Sequence, residues 1–433
     1  MNDLTLGKKI RKARLDLRLT QQDVAGDFIT RNMLSKIESD VATPSIKTIK
    51  YLAERLNKPV SYFLNNDYDQ TQSIDKDSKA CFEHASFLVK DMEYDKCISY
   101  INQILKTVDE EASGIYYGRL LYLLGKCNTK LNNYVLANQY LDKSIEVLES
   151  YNDYYFLADT YFYRSNIGFN NNRFKESEFY VRKATTALDK SHVNDVLLEI
   201  KLYFSLGYSL FKQDNYKESI QILNHVLDIS RKYKCFYNYG DTYMLLGILY
   251  RRTNDLNQAI DYTKKAILFY DSLGELDSKA SCGKNIGNYY LIINDFDNAS
   301  KYLNESLKYF DEIKDIRKVN TIKSDIQELL VKKGDYTKAI EYVDEIDINK
   351  IKTVDQARIY MNLGKSYTGI NDYIKAEDSL RKSEDLLKDS NRFDILQIIY
   401  DSYSHMYSLL KDFEKAYIYS EKSKKYLELS LKK

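Results

Sequence analysis

Four side chains near the N-terminus have the types and the spacing that contact with DNA bases requires. They are Arg31, Asn32, Met33 and Lys36, which fall on one face of a predicted helix. Arginine can form two hydrogen bonds with guanine and asparagine two with adenine, while lysine tends to bind phosphate and methionine can contact a thymine methyl group. The alternative is that these residues form an ordinary solvated helix face.

Five predicted helices would hold that face in position. Thr20 and Thr30 are the predicted N-caps of the second and third helices, and Pro44-Ser45 begins the fourth. The second helix is predicted over "QQDVAGDF", and "KPVSYFL" forms a short fifth helix. The predicted core residues are Leu6, Ile10, Ala13, Leu17, Val24, Ala25, Phe28, Leu34, Ile37, Ile46, Ile49, Leu52, Ala53 and Leu56. Gln21, at the start of the second helix, could bind phosphate together with backbone N–H groups. The predicted DNA contacts are Gln21, Thr30, Arg31, Asn32, Met33 and Lys36.

The charge is distributed unevenly along the 433 residues, although the net charge is only +1. Residues 1–66 carry 12 Lys+Arg against 7 Asp+Glu, whereas residues 67–433 carry 52 against 56. A small basic module on a mildly acidic body is expected when only the first part meets a polyanion.

The rest of the chain contains nine versions of one phrase. An aromatic residue, or Leu256 in one case, recurs at positions 94, 134, 174, 216, 256, 296, 336, 373 and 413. A small residue follows three positions later in every case, at Cys97, Ala137, Ser177, Ser219, Ala259, Ala299, Ala339, Ala376 and Ala416. Another lies nine positions before the aromatic, with Gln327 as the exception, at Ala85, Gly125, Ser165, Gly207, Gly247, Gly287, Gly364 and Ser404. The period is about 40 residues.

Small residues at this spacing let two antiparallel helices approach closely, and the aromatic fills the wedge at the turn. A single pair cannot bury its apolar face, so consecutive pairs must stack. The separation of 12 between small positions resembles that of tetratricopeptide repeats (TPRs). We therefore expect an all-α protein with a helix-turn-helix domain at 1–66, a polar linker at 67–78 and a repeat array at 79–433. The array is predicted to be a right-handed TPR-like α-solenoid of about nine helix pairs.

Several classes of function find no support in the sequence. It contains no apolar run long enough to span a membrane, and its N-terminus lacks the apolar stretch of a signal peptide, so we expect a cytoplasmic protein without membrane partners. Five widely spaced cysteines without a CxxC motif indicate reduced thiols. No phosphate-binding, metalloprotease or nucleophile-elbow motif is present. We expect no enzyme activity, no cofactor and no metal site.

The N-terminal segment resembles the Xre/Cro-type helix-turn-helix domain. The residues that carry the resemblance are Thr20-Gln21, Val24-Ala25, Thr30, Leu34-Ser35-Lys36-Ile37-Glu38 and Pro44-Ser45. The resemblance implies that Arg14 of the first helix pairs with Glu38 at the end of the third. Two departures are visible, because Ile29 makes the turn between helices two and three one residue shorter and Arg18 replaces a common glycine. The shortened turn resembles the PlcR and Rgg regulators.

A domain of this type followed by a TPR-like array resembles the RRNPP family of peptide-responsive regulators, and most of all the clostridial RstA-type members. The resemblance implies a transcription regulator that binds double-stranded operator DNA as a homodimer, while its array senses a short signalling peptide in quorum sensing. It also implies a role in sporulation and virulence control. The alternative is a Rap-like interaction protein whose array binds, sequesters or dephosphorylates a response-regulator-type partner.

The first helix of each TPR pair lines the concave face, so residues at fixed offsets from the small position are candidates for peptide binding. Such a groove needs amides, a cation and apolar pockets. The candidates are Tyr122, Lys126, Phe162, Asn166, Phe169, Asn170, Phe204, Tyr208, Phe211, Met244, Arg251, Lys284 and Asn288. The alternative is that the aromatics pack between repeats and the charges are solvated.

Overall fold

The structure, a computed structural model, describes residues 5–17, 19–26, 28–56, 58, 63, 70–106 and 110–431. Within these ranges the chain is helical and contains no strand, which confirms the all-α class. None of the described helices combines the length and the apolar character needed to cross a bilayer. The chain divides into two compact units, Met1–Tyr163 and Arg164–Lys433.

Four helices of the N-terminal domain are described, and local sequence signals start each of them. They are α1 (Leu6–Asp16), α2 (Gln21–Ala25), α3 (Arg31–Glu38) and α4 (Ile46–Arg55). The Thr20 hydroxyl accepts a hydrogen bond from the Asp23 backbone N–H at 3.2 Å, and the Asp23 carboxylate accepts one from the Thr20 N–H at 2.7 Å. Thr30 caps α3 by accepting from the Met33 N–H at 3.2 Å. Both predicted threonine caps are therefore confirmed.

Two predicted core residues of this domain lie on the surface: Leu17 at the C-cap of α1, which is 43% exposed, and Phe28. Phe28 is 46% exposed, whereas Ile29 is buried. The predicted second helix "QQDVAGDF" ends at Ala25 because Gly26 takes a left-handed conformation with φ of 55°. The chain then turns and leaves the Phe28 ring on the surface, stacked on Tyr51 with 4.8 Å between ring centroids.

The predicted fifth helix "KPVSYFL" and the start of the predicted linker fall largely outside the described residues. Phe63, which is described, is buried in the core of the N-terminal domain. Residues 70–78 of the predicted linker belong to a helix, α5, which spans Gln70–Lys90.

Within the described residues, the remaining helices form nine consecutive pairs, as the repeats predict. Numbered in chain order after α5, they are α6 (Tyr94–Ile104), α7 (Glu110–Lys130), α8 (Tyr134–Ser150), α9 (Tyr154–Asn170), α10 (Phe174–Ser191), α11 (Val196–Lys212), α12 (Tyr216–Tyr233), α13 (Tyr239–Arg252), α14 (Leu256–Leu273), α15 (Leu276–Ile292), α16 (Phe296–Glu312), α17 (Ile316–Lys333), α18 (Tyr336–Glu341), α19 (Thr353–Gly369), α20 (Tyr373–Leu387), α21 (Phe393–Leu409) and α22 (Phe413–Leu431). The boundary between the two compact units falls inside α9.

Small residues allow the close approach of the two helices in each pair, as predicted. A Cβ added to Gly125 would lie 2.4 Å from the Leu141 side chain, and one added to Gly364 would lie 2.6 Å from Leu380. Across another pair, the Ser219 hydroxyl donates to the Gly207 carbonyl oxygen at 2.7 Å. Larger residues at these positions would force the helices apart.

Each pair turns at a residue in the left-handed conformation. This residue lies two positions before the repeated aromatic, at Met92, Asn132, Asn172, Asp214, Asn254, Asn294, Gly334, Asn371 and Lys411. Seven of these nine residues are Asn, Asp or Gly, the types that adopt positive φ at least cost. The residue types at these positions therefore favour the tight turn between the two helices of a pair.

The seventh pair differs from the other described pairs in the length of its second helix. Its second helix, α18, has six residues, and two short 3₁₀ helices follow at Tyr342–Glu345 and Ile348–Lys350. Ile346 and Ile351 are buried here, and the Asp347 N–H donates to the Asn320 side chain at 3.0 Å. The chain leaves the α-helix after Glu341 and packs Ile346 and Ile351 inward from the segment that follows.

Candidate nucleic-acid interface and ligand-binding face

The outward face of α3 carries the residues that the sequence predicts to contact DNA. Arg31, Asn32, Met33 and Lys36 are all exposed. Leu34 and Ile37, on the opposite face, are buried. The predicted division of α3 into a core face and an outward face is confirmed, while the role of the exposed residues in DNA binding remains a prediction.

A buried ion pair fixes α3 to α1. The Arg14 guanidinium donates to both carboxylate oxygens of Glu38, from Nε at 2.7 Å and from Nη2 at 2.9 Å. Burial raises the pKa of Glu38. The hydrogen bonds from Arg14 and Gln21 lower this pKa by a larger amount, so the net pKa lies below its usual value. The pair implied by the resemblance is therefore present.

Gln21 belongs to the same network. Its side-chain amide donates to the Glu38 carboxylate at 2.9 Å, and the residue is half-buried. The sequence predicts a phosphate contact for Gln21 and does not predict this bond. Thr30 is exposed at the N-terminus of α3, where its hydroxyl already serves as the cap.

In the first unit, the predicted peptide contacts are largely committed to a neighbouring helix. Tyr122 is 3% exposed, and its hydroxyl donates to the Asp159 carboxylate. The Lys126 ammonium donates to the Tyr122 hydroxyl at 2.8 Å and lies 3.7 Å from the Asp159 carboxylate. Tyr122 is therefore buried beside Asp159, and its contact with a peptide stays a prediction. Lys126 is half-buried with its charge balanced by Asp159, and Phe162 is half-buried.

In the second unit, the predicted apolar contacts form a continuous aromatic wall. The Tyr208 ring lies 5.0 Å from Phe169, 6.2 Å from Phe204 and 6.1 Å from Phe211, measured between centroids. All four rings are half-buried, as is Met244. These rings pack between repeats and remain partly exposed to solvent. Packing between repeats and contact with a ligand are therefore compatible roles for them.

Polar candidates lie beside this wall. Asn166 is half-buried and Asn170 is exposed. Arg251 is half-buried, and no carboxylate of the described residues lies within 4 Å of its guanidinium. A cation held without an acidic partner is suited to bind a carbonyl or carboxylate oxygen of a ligand.

Further along the second unit, Lys284 and Asn288 both contact Asp325. The Asn288 amide nitrogen donates to the Asp325 carboxylate at 3.0 Å, and the Lys284 ammonium lies 3.7 Å from it. The Asn288 side-chain oxygen is buried, and among the described residues it has no hydrogen-bond partner. This oxygen could accept a hydrogen bond from the backbone N–H of a ligand.

Asp325 is the centre of a buried charge cluster that the sequence reasoning missed. It is 0% exposed, and the Arg358 guanidinium donates to it at 3.2 Å and to Glu328 at 2.5 Å. Burial raises the pKa of Glu328. The neighbouring Arg358 lowers this pKa by a larger amount, so the net pKa is below the usual value. Burial also lowers the pKa of the nearby Lys365. Gln327, the exception at the small positions, is fully buried in the same helix. This departure from the repeat is the sequence feature that could have indicated the charge cluster.

Matches to known families cover the two parts of the chain. The family described as a helix-turn-helix domain matches residues 7–68. Families described as tetratricopeptide repeats match residues 198–272 and 357–386. No curated protein matches the chain.

Solved structures share the fold at low sequence identity. The apo form of RapI is 13% identical over 82% of this chain and 98% of its own, with a TM-score of 0.61. The apo form of the quorum sensor NprR from B. thuringiensis is 16% identical over 82% of this chain and 99% of its own, with a TM-score of 0.56. Bacillus thuringiensis PlcR in complex with the peptide PapR7 and DNA is 19% identical over 65% of this chain and 99% of its own. The TM-score of this match is 0.35.

At these identities, the similarity to RapI and NprR establishes the fold alone, and the closer likeness to RstA-type regulators is tested by none of these matches. The family matches and the nine helix pairs agree on the order of the domains. The chain therefore carries a helix-turn-helix domain followed by tetratricopeptide repeats, which is the domain order of the RRNPP-type regulators that its sequence resembles.

Proposed function

We propose that this protein is a transcription regulator that binds operator DNA through α3, and that its repeat array senses a short signalling peptide and controls that binding. The observation that carries the proposal is the exposed set of Arg31, Asn32 and Lys36 on a helix held by the buried Arg14–Glu38 pair. A rigidly positioned helix whose side chains can bond base edges is the arrangement that sequence-specific recognition requires.

The array supplies the support for peptide sensing. The aromatic wall, the Arg251 guanidinium, which has no carboxylate partner among the described residues, and the buried oxygen of Asn288 offer apolar, cationic and acceptor groups on the first helices of successive pairs. The description of NprR, a protein of the same fold, as a quorum sensor agrees with this assignment. We further propose that the protein binds DNA as a homodimer, so that its operator is a pseudo-palindrome with half-sites about one helical turn or more apart.

Arg31→Ala and Asn32→Ala should each weaken binding of the protein to its cognate DNA site by about 1–3 kcal/mol. Each variant should also relax the base preference at the contacted position. Lys36→Ala should weaken binding to all sequences alike and reduce the salt slope by about one. The site is first selected from random-sequence DNA with the wild-type protein, and affinities are then measured at several salt concentrations.

Lys12→Ala is the matched control, because it removes an exposed cation from α1 and leaves α3 unchanged. It should leave base preference intact. If a protein carrying all three α3 changes bound the selected site with unchanged affinity and salt slope, the DNA-binding proposal would be refuted. A cellular effect that survived deletion of residues 1–66 would favour the Rap-like alternative.

Arg251→Gln should weaken peptide binding by about 1.5–3 kcal/mol, because it removes a charged hydrogen bond to a peptide oxygen. Binding is measured as the rise in apparent melting temperature of the full chain with peptides purified from conditioned medium, since a ligand of the folded state must raise its stability. Arg252→Gln, at the exposed neighbouring position, removes the same charge and should have little effect. Equal losses in the two variants would argue against a specific role for Arg251.

A further inference from the structure

A cavity of about 700 Å³ opens beside the shortened helix of the seventh pair. Its apolar surface is formed by Phe310, Ile322 and Ile351. This volume lies within the range of small-ligand sites in proteins. The cavity belongs wholly to the second unit and adjoins the buried charge cluster, since Lys284 contributes to both.

The shortened helix accounts for the cavity. The corresponding helix of the preceding pair, α16, has 17 residues, whereas α18 ends at Glu341 after six. The chain then turns, so that Asn349, Lys350, Ile351 and Lys352 form one wall of the cavity. A full-length second helix would not place these residues against α15 and α17.

Positive charge prevails along this cavity. Three of its cations, Arg317, Lys350 and Lys352, have no carboxylate of the described residues within 4 Å. A fourth, Lys318, is held by Asp277 with 2.9 Å between the charged atoms. Unpaired cations above an apolar surface favour a ligand that carries both an anion and an apolar group.

The acidic and neutral polar groups that line the cavity restrict the kinds of anionic ligand that it can bind. Asp315 and Asp355 also line the cavity, and two carboxylates oppose a ligand with several negative charges. Ser281, Asn285 and Asn349 supply neutral donors and acceptors of the kind that pair with peptide groups. A singly charged carboxylate on a peptide fits this lining better than a polyphosphate does.

We propose that this cavity binds the carboxylate of an array ligand, either the C-terminus or an acidic side chain of a peptide that also carries an apolar residue. The proposal rests on the proposed function, because it assumes that the array binds a peptide. It adds two details to that function, the charge of the ligand and the repeats that bind it. These are the sixth to the eighth repeats, which lie at and beyond the end of the ligand-binding face predicted from the sequence.

The test uses three pools of N-acetylated random heptapeptides with the full-length protein. The first pool has an amidated C-terminus and contains no Asp or Glu, so that it lacks any carboxylate. The second pool has a free C-terminus, and the third is amidated with one Asp or Glu. Peptides retained by the protein are quantified by mass spectrometry. We expect at least one carboxylate-bearing pool to be retained about tenfold more strongly than the first, and which one it is identifies the source of the anion.

The variant Arg317→Gln/Lys350→Gln/Lys352→Gln should lose this preference, because it removes the three unpaired cations. All three positions are exposed, so the fold should persist, and circular dichroism checks this. The matched control is Lys301→Gln/Lys308→Gln/Lys314→Gln, which removes the same charge from exposed positions outside the cavity lining and should keep the preference.

The outcomes separate this proposal from the proposed function. Equal retention of all three pools, or a preference that survives in the cavity variant, overturns the cavity assignment and leaves peptide sensing intact. Retention of no pool overturns both. Retention of a mononucleotide by the wild type, lost in the cavity variant and without discrimination among the peptide pools, would overturn the peptide assignment.

Discussion

Replacing Arg358 with methionine is expected to lower the free energy of unfolding of the surrounding helices by about 3–5 kcal/mol. Asp325 is fully buried, and Arg358 is its closest cation, since the other, Lys284, lies 3.7 Å away. Removing the guanidinium leaves a buried carboxylate with incomplete compensation, and that penalty dominates the loss. Amide hydrogen exchange of peptides from α17 and α19, measured in the full chain, reports the change directly.

Two controls define the cause. Arg381→Met removes a cation whose partner Asp378 lies 2.7 Å away at an exposed site, with 68% and 41% of the two side chains accessible. Its cost should stay below about 1 kcal/mol. The double variant Asp325→Leu/Arg358→Met should recover part of the stability, because it removes the fully buried carboxylate together with its closest cation, although Glu328 still loses its partner Arg358. Equal costs for Arg358→Met and Arg381→Met would show that burial of the carboxylate is not the source of the effect.

Replacing Arg14 with methionine should destabilise the N-terminal domain by about 3–5 kcal/mol and abolish specific DNA binding. The change leaves Glu38 buried with Gln21 as its remaining partner and removes the bond from Arg14 to the Leu19 carbonyl oxygen at 2.9 Å. Because Glu38 ends α3, the helix that carries the exposed set loses its fixed position. Hydrogen exchange of α1 and α3 peptides measures the stability, and binding to the selected DNA site measures the consequence.

The pH dependence of this domain provides the matching control. The folded-state pKa of Glu38 lies below its usual value of 4.5, so the stabilisation from this group is present above that value. It is lost as the pH falls through the folded pKa. Glu38→Gln should therefore flatten the acid limb of domain stability at pH values below about 4.5. An unchanged acid limb in this variant would mean that other carboxylates determine acid unfolding.

The repeat pattern predicted most of the array because each part of the phrase has a local physical cause. Small residues 12 positions apart meet across each pair, as Ser219 and Gly207 illustrate. The Asn, Asp and Gly residues before the aromatics mark left-handed turns. The Arg14–Glu38 pair was implied by resemblance and is present. The position of Phe28 was not predictable in the same way, because it depended on where Gly26 ended α2.

The candidate ligand face was predicted less well, because its side chains interact across neighbouring repeats. Tyr122 bonds to Asp159, and Asn288 bonds to Asp325, in both cases 37 positions further along the chain. A period of about 40 residues identifies equivalent positions but does not show which residues of adjacent repeats touch. Examining residues 37 positions apart would have identified both pairs. The roles of all the proposed contact residues in binding DNA or peptide remain predictions.

The shortened α18 has a consequence for how the second unit unfolds. In a stack of helix pairs, stability is approximately the sum of the intrinsic terms and the interfaces between neighbours. The corresponding helices α14, α16 and α20 have 15 to 18 residues, whereas α18 has six. The shorter helix therefore offers its neighbours far less interface. Cooperativity should therefore be weakest at the seventh pair, so that the pairs before it and the pairs after it form separate cooperative blocks.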